Sequence, residues 1–191
     1  MIRKAGGKEI QIRIDANQGW TRQQAIEALN KMAKFNIQFV EQPVLAEDLK
    51  GLTSVRKDSP IPVMADESVH SPVDALHLIR EEAVDLINIK LMKSGGIHNA
   101  AKIAAVAEAA NVPCMIGCMG ESSVGITAAV HFAAATRNVQ HADLDCDILL
   151  ADKLVTEGGV ELKNSERIPS NMPGVGINKL DEKTLGTPVR V

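Results

Sequence analysis

The sequence predicts an α/β fold that comprises most of a (β/α)8 TIM barrel. Short apolar runs rich in β-branched residues alternate with longer helical patterns, which is typical of βα units and a parallel sheet. The alternation repeats about every 25 residues, and a polar residue ends most of the apolar runs. With 191 residues, 45% of them hydrophobic and 24% charged, the chain has the size and composition of one globular domain.

Six short runs are predicted as strands. Each is apolar, as expected of parallel strands that are buried on both faces. In chain order they are Glu9–Ile14, Ile37–Val40, Pro62–Ala65, Leu86–Ile89, Pro113–Ile116 and Val139–Ala142.

Amphipathic helices are predicted between these strands, and two have readable starts. Thr21 and Gln24 form a capping box, and Ser71 followed by Pro72 supplies an N-cap with a first-turn proline. Apolar residues spaced three or four apart should face the sheet. They are Ile26, Leu29 and Met32 in the first of these helices and Leu76, Ile79 and Ala83 in the second.

Charge and composition exclude several classes of protein. A net charge of -3 gives no reason to expect a nucleic acid or an anionic membrane as partner. No apolar run approaches the roughly 20 residues that span a bilayer, and no signal-peptide core follows Met1, so we expect a cytoplasmic protein. The cysteines Cys114, Cys118 and Cys146 complete no zinc pattern and are interpreted as reduced and structural.

A series of charged residues marks the strand ends: Asp15, Glu41, Asp66, Lys90 and Asp143. Successive intervals are 26, 25 and 24 residues, then 53 residues across two units. In a parallel barrel these positions all lie at the C-terminal mouth, where such folds carry their active sites. One charged residue after a strand could simply start a loop, whereas a series in register favours a shared site.

Three converging carboxylates predict a divalent cation. Their mutual repulsion would raise their pKa values unless a cation balanced them, and oxygen ligands favour Mg²⁺ or Mn²⁺. Lys90, one unit further along, is placed to move a proton, and a nearby cation should lower its pKa. Lys93 lies beyond the strand end and is interpreted as a loop or helix-start charge.

Four local motifs together resemble the muconate lactonizing enzyme subgroup of the enolase superfamily. The resemblance implies that Asp15, Glu41 and Asp66 are metal ligands and that Lys90 is the acid/base on the sixth barrel strand. It also implies that Asn17 and Glu67 orient the ligands, although either could have a plain surface role. The motifs are Asp15-Ala16-Asn17-Gln18-Gly19-Trp20, Val40-Glu41-Gln42-Pro43, Ala65-Asp66-Glu67-Ser68 and Ile89-Lys90-Leu91-Met92-Lys93-Ser94-Gly95-Gly96.

The seventh and eighth strand ends resemble those of dipeptide epimerases. In that group an Asp-x-Asp pair, here Asp143 and Asp145, binds the free α-ammonium of the substrate. Two residues apart on a strand, both carboxylates would face the same side. Glu121 and Ser122 are expected to line the pocket. The alternative is that Asp143, Asp145 and Asp147 only form an acidic loop.

The resemblance implies a small-molecule dipeptide substrate and epimerisation by α-proton abstraction through an Mg-stabilised enolate. Alternatives are an N-acylamino acid racemase, an o-succinylbenzoate synthase, a muconate cycloisomerase, or a truncated fragment without activity. The last alternative, a truncated fragment without activity, follows from the N-terminal region. Family members precede the matched region with a capping domain and two further strands, which carry a Lys-x-Lys motif. Residues 1–14 contain no position that matches this motif.

Domain boundaries follow from the same resemblance. We place the partial barrel, with strands three to eight, in residues 1–167, and a C-terminal return segment and tail in residues 168–191. Because six of eight strands cannot close a barrel, the edge strands should promote self-association, so we expect a homo-oligomer.

Overall fold

A computed structural model describes residues 1–151 and 153–185 of the chain. Its centre is a parallel sheet of six strands in chain order, each joined to the next by a helical segment. The strands are β1 (Ile12–Asp15), β2 (Ile37–Glu41), β3 (Val63–Ala65), β4 (Leu86–Lys90), β5 (Cys114–Gly117) and β6 (Val139–Ala142). The helices are α1 (Ile2–Gly6), α2 (Arg22–Met32), α3 (Leu49–Asp58), α4 (Pro72–Arg80), α5 (Leu91–Ser94), α6 (Ile97–Ala109) and α7 (Ser123–Ala135). The predicted fold class is confirmed.

The first strand begins later than predicted. The expected strand from Glu9 is wrong for its first three residues, because the chain turns after Gly7, whose φ is +73°. Arg3 stabilises this turn from α1 by donating hydrogen bonds to carbonyl oxygens of the segment, including that of Gly7 at 2.8 Å. The strand then runs through Asp15, so the carboxylate stands at its last residue.

Both predicted helix starts are confirmed, with one error in the buried face of α4. Thr21 and Gln24 form a reciprocal capping box, and the Ser71 side chain accepts from the amide of Asp74. On α4 the buried residues are Ala75 and Leu78, whereas Leu76 is 48% exposed. Because successive helical residues point about 100° apart, the prediction was wrong at Leu76, whereas Ile79 packs against the core and Ala83, beyond the end of α4, is buried.

Two apolar layers hold the sheet in place. The larger lies between the outer face of the sheet and its helices and includes Leu29, Ile87 and Ile116. The smaller lies on the inner face and consists of Phe39, Met64, Leu86 and Met115. Alternate strand residues therefore pack outward against helices and inward toward a barrel axis, so the end of the inner face is free to present polar side chains.

The sheet curls enough for its first strand to contact its last. Arg13 on β1 donates to the carbonyl oxygen of Ala142 on β6 at 3.3 Å, and its guanidinium lies 3.2 Å from Nδ1 of His141. It also stacks over the ring of Phe39 at 5.1 Å from the centroid. Within residues 1–151 and 153–185, the outer edges of β1 and β6 pair with no further strand. Self-association through these edges stays a prediction that light scattering would check.

Beyond β6 the chain forms small antiparallel pairs. β7 (Val155–Gly158) pairs with β10 (Ile177–Leu180), β8 (Glu161–Lys163) pairs with β9 (Glu166–Ile168), and α8 (Glu182–Leu185) follows. The predicted boundary after residue 167 falls inside β9, and residues 186–191 of the predicted tail lie outside the described residues. No helix in the described part of the chain has the length and apolarity to cross a membrane.

Candidate active site

The parallel register brings the first carboxylates to one edge of the sheet. Asp15 is the partner of Glu41 across β1 and β2, and Glu41 is the partner of Met64, two residues before Asp66. Glu41 is 7% exposed and Asp66 is 3% exposed, while Asp15 is more open. The fold therefore places the three residues at the C-terminal edge of neighbouring strands.

Asn17 holds the carboxylate of Asp15 from the following turn. Its backbone amide donates to Oδ1 of Asp15 at 2.7 Å, and its side-chain amide donates to Oδ2 at 3.0 Å. Burial raises the pKa of Asp15, and the nearby charges of Asp66 and Asp143 raise it further, against the opposing effect of Asn17 and Lys90. Asn17 thus contacts Asp15 in the way the resemblance implied.

Glu41 is the most perturbed of the three carboxylates. Burial raises its pKa to about 7, and the charges of Asp66 and Asp15 add to the effect. Asn88 on β4 opposes this by donating from its side-chain amide to Oε1 of Glu41 at 2.6 Å. Sequence reasoning missed Asn88, although its place two residues before Lys90 on the same strand put it on the inner face.

Two lysines bind Asp66. Lys90 Nζ lies 2.6 Å from Oδ2, and Lys93 Nζ donates to Oδ1 and to the backbone carbonyl of Asp66. Lys93 also donates to the carbonyl oxygen of Asn88 at 3.2 Å, and its side chain is only 5% exposed. The interpretation of Lys93 as a loop or helix-start charge is wrong for its contacts. Its spacing three residues after Lys90, at the start of a helix, was the available signal, because residues at i and i+3 share a face.

The two lysines differ in their titration. Burial disfavours the charged form of Lys90, but the hydrogen bond and charge of Asp66 outweigh it, so the pKa of Lys90 is raised. Burial dominates at Lys93, whose pKa is lowered. The lowered pKa expected for Lys90 beside a cation stays a prediction, and the raised pKa found here follows from its direct neighbour Asp66.

The donor set fits a hard divalent cation in its chemistry. Asp15, Glu41 and Asp66 offer only oxygen, and Glu41 and Asp66 are buried whereas Asp15 is exposed. Desolvation first, and neighbouring carboxylates second, raise the pKa values of Asp15 and Glu41. Among the described residues, however, no three His, Cys, Asp or Glu side chains are close enough to form a complete metal site. Asp66 would have to exchange at least one lysine contact for a cation to bind.

Glu67 differs from Asn17 in its contacts. Its side chain makes no hydrogen bond to a described candidate ligand, and its Oε2 is buried without a partner in the part of the chain that the structure describes. Its charge instead helps to raise the pKa of Lys90. Orientation of a metal ligand by Glu67 stays a prediction.

Asp143 and Asp145 follow β6 on the opposite side of the edge. Both are exposed, whereas Leu144 between them is 8% exposed and packs in the core. They lie in the loop after the strand, which corrects the expectation that both are strand residues. Asp147, the third acid of the proposed acidic loop, forms an ion pair with Arg167.

Glu121 and Ser122 lie at the start of α7. Glu121 is 4% exposed, and neither carboxylate oxygen has a hydrogen-bond partner within residues 1–151 and 153–185. Burial raises its pKa, while the charge of Lys90 acts in the opposite direction. Both residues line a cavity of about 570 Å³ together with Leu91 and Met92, and none of the three carboxylates lines it, so a place for Glu121 and Ser122 in the substrate pocket stays a prediction.

With this geometry, the chain can be compared with known proteins. Residues 1–183 match the family described as Enolase C-terminal domain-like. The chain belongs to this family. The enolase C-terminal domain-like fold accounts for the curled parallel sheet and confirms the resemblance on which the sequence interpretation depended.

Similar members of the family are dipeptide epimerases. The L-Ala-D/L-Glu epimerase of Clostridium acetobutylicum is 51% identical over 182 residues, covering 94% of this chain and 51% of that protein. The solved structure of the substrate-liganded L-Ala-D/L-Glu epimerase from Bacillus subtilis has a TM-score of 0.91 and 46% identity, and it covers 94% of this chain and 50% of that one. This chain therefore spans about half the length of the relatives it matches.

A third comparison includes a metal. The dipeptide epimerase from Enterococcus faecalis, solved with Mg and the dipeptide L-Leu-L-Tyr, has a TM-score of 0.89 and 46% identity. The match covers 93% of this chain and 51% of that one.

Proposed function

We propose that this chain carries the metal-binding and proton-transferring part of a dipeptide epimerase. The observation that supports the proposal most is the arrangement at the C-terminal edge of the sheet, where Lys90 contacts Asp66 and where Asp15, Glu41 and Asp143 line one small cavity. Relatives at about half sequence identity are dipeptide epimerases, but this chain spans about half their length. We therefore assign it a part of the catalytic machinery.

Asp143 and Asp145 are proposed to bind the α-ammonium of the dipeptide. Both carboxylates are exposed, and neither forms an ion pair with a described lysine or arginine. Hydrogen bonds between a carboxylate and an ammonium are charge-assisted and stronger than neutral ones. An N-acylated substrate has no such cation, so the acidic pair favours a free dipeptide over the substrate of an N-acylamino acid racemase.

Asp15, Glu41 and Asp66 are proposed to hold Mg²⁺, with Mn²⁺ as an alternative. When bound, the cation would supply positive charge that stabilises the negative charge developing on the substrate carboxylate. Burial is the main cause of the raised pKa values of Asp15 and Glu41, and the charges of neighbouring carboxylates add to it, so a cation bound here would offset both effects. Asn17 and Asn88 keep two of the carboxylates oriented by hydrogen bonds.

Lys90 is proposed to move the α-proton on one face of the substrate. As a neutral amine its Nζ accepts the proton from one epimer, and as an ammonium it returns a proton to form that epimer in the reverse direction. Its contact with Asp66 holds the amine beside the three carboxylates. The family resemblance assigns the opposite face to a Lys-x-Lys motif, and residues 1–14 contain no matching position.

A chimaera tests the proposal. Joining this chain to the amino-terminal half of the Bacillus subtilis epimerase, a relative with 46% identity, would supply the segments that precede the matched region. We expect Mg²⁺-dependent epimerisation of L-Ala-L-Glu by the chimaera and none by the 191-residue chain alone, because proton transfer on two faces needs two groups.

Two outcomes would contradict the proposal. A folded chimaera that racemises N-acylamino acids but no dipeptide would favour the racemase alternative. Epimerisation by the 191-residue chain alone would show that both acid/base groups lie within it.

A further inference from the structure

Gln42 is a fully buried polar residue directly after Glu41, with a relative exposure of 0%. Both the oxygen and the nitrogen of its side-chain amide form hydrogen bonds. Oε1 accepts from the backbone amides of Asp66 at 2.8 Å and Ser68 at 3.2 Å. Nε2 donates to the carbonyl oxygen of Val44 at 3.0 Å and to Oγ of Ser68 at 2.8 Å. The loop that begins with Asp66 is therefore fastened to the end of β2 by one side chain.

The backbone around Gln42 extends the same connection to the first carboxylate. Its carbonyl oxygen accepts from the amide of Gln18 at 2.8 Å, in the turn that follows Asp15. Its own amide donates to the carbonyl oxygen of Met64 at 2.9 Å, one strand further on. Its φ of +30° is a conformation that non-glycine residues rarely adopt, and surrounding contacts must hold it. Gln42 thus contacts the loops of both other candidate ligands.

We propose that Gln42 is a positioning residue that sets the place of Asp66 relative to Glu41 and Asp15. This inference rests on the proposed metal site. A buried amide is costly unless its polar atoms are paired, and an apolar side chain could fill the same space. The side chain of Gln42 pairs with Val44 in its own loop and with Asp66 and Ser68 in the next loop, so it fixes the Asp66 loop against the end of β2. Its backbone carbonyl oxygen holds the turn after Asp15.

Three substitutions separate positioning from packing. Gln42→Met keeps the length but removes the acceptor for the Asp66 amide, whereas Gln42→Glu retains an acceptor oxygen at that place. Ser68→Ala is the matched control, because it removes one partner of Nε2 and leaves the bond to the Asp66 amide. Should Gln42→Met fail to fold, Gln42→Asn retracts the amide by one carbon and tests the same contact.

Isothermal titration of the 191-residue chain with Mg²⁺ gives the first readout. Loss of groups that orient metal ligands typically weakens metal affinity about 10–100-fold, which we expect for Gln42→Met and Gln42→Asn. Gln42→Glu should bind at least as tightly as wild type, and Ser68→Ala should stay within about threefold.

Amide hydrogen exchange in the absence of metal gives a second readout. The amides of Asp66 and Ser68 should exchange faster in Gln42→Met than in Ser68→Ala, while amides of β4 keep their protection. Wild-type Mg²⁺ affinity in a folded Gln42→Met or Gln42→Asn chain would overturn the inference alone. Absence of Mg²⁺ binding by the wild type would overturn the proposed function together with it.

Discussion

The two sides of the strand-end edge differ in how their carboxylates are balanced. On the β1 to β3 side, Asp66 is 3% exposed and both its oxygens accept from lysines, while Glu41 accepts from Asn88. On the β6 side, Asp143 and Asp145 are exposed and form no ion pair within the described residues. On the first side, lysine and asparagine side chains of the same chain bind the carboxylates, and we call it the organised side. On the second, which we call the unbalanced side, the carboxylates carry charge that a cationic ligand would balance.

The largest expected effect is on the rate of proton transfer and comes from a substitution on the organised side. In the chimaera, Lys90→Ala should lower the rate of α-proton exchange by about a thousandfold or more, because the proton on that face has no acceptor. Mg²⁺ affinity should be retained, since Lys90 is not one of the three carboxylates. Solvent deuterium incorporation at the α-carbon, followed by NMR, measures the exchange. Undiminished exchange from both epimers would remove Lys90 from the mechanism.

The second effect concerns the metal. Asp66→Ala should weaken Mg²⁺ binding to the 191-residue chain by about a hundredfold or more, because one of three carboxylates is lost. Isothermal titration measures the affinity. Asp58→Ala is a suitable control, since Asp58 is an exposed residue at the C-terminal end of α3, away from the C-terminal ends of the strands. Equal affinity in wild type and Asp66→Ala would remove the metal assignment.

The sequence predicted the placement of residues at the strand ends better than it predicted the contacts between their side chains. Strand ends could be predicted because a parallel register places Asp15 beside Glu41 once the βα repeat is recognised. The contacts of Gln42 could not, because they join segments more than 20 residues apart and leave no periodic trace. For Lys93 the spacing of three residues from Lys90 was an available signal that the sequence interpretation did not use.

On the β6 side the sequence was wrong about the element. Asp143 and Asp145 are exposed and Leu144 between them is buried, but a shared direction of the two carboxylates stays a prediction. Both residues lie beyond β6, where the chain enters a 3-10 turn starting at Cys146. Strand length depends on pairing with neighbours, so the end of an edge strand is poorly marked by local sequence.

The third effect tests the unbalanced side. In the chimaera, Asp143→Asn or Asp145→Asn should raise KM for a dipeptide by an amount equivalent to about 1.5–3 kcal/mol, the usual loss for a charge-assisted hydrogen bond. KM for an N-acylated analogue should change much less, because that molecule has no ammonium. Steady-state kinetics with both substrates measures the difference. Equal effects would favour the acidic-loop interpretation.

The smallest expected effect concerns the organised side and is a pH dependence of the free energy of unfolding. The folded pKa of Glu41 is about 7, above its ordinary value of 4.5, so the folded state binds a proton more tightly than the unfolded state does. The stability that this group contributes is therefore present below about pH 4.5 and is lost as the pH rises through 7. Gln at this position cannot ionise and can still accept from Asn88.

Glu41→Gln should consequently leave the free energy of unfolding nearly unchanged at pH 5 and raise it by about 2 kcal/mol at pH 8, without divalent cations. Urea unfolding at the two pH values, in the presence of a chelator, measures the difference. Glu47→Gln, at an exposed glutamate, is the control and should show no such dependence. If Glu41→Gln gained no stability at pH 8, the carboxylate would already be balanced in the metal-free chain, and the organised side would not need a cation.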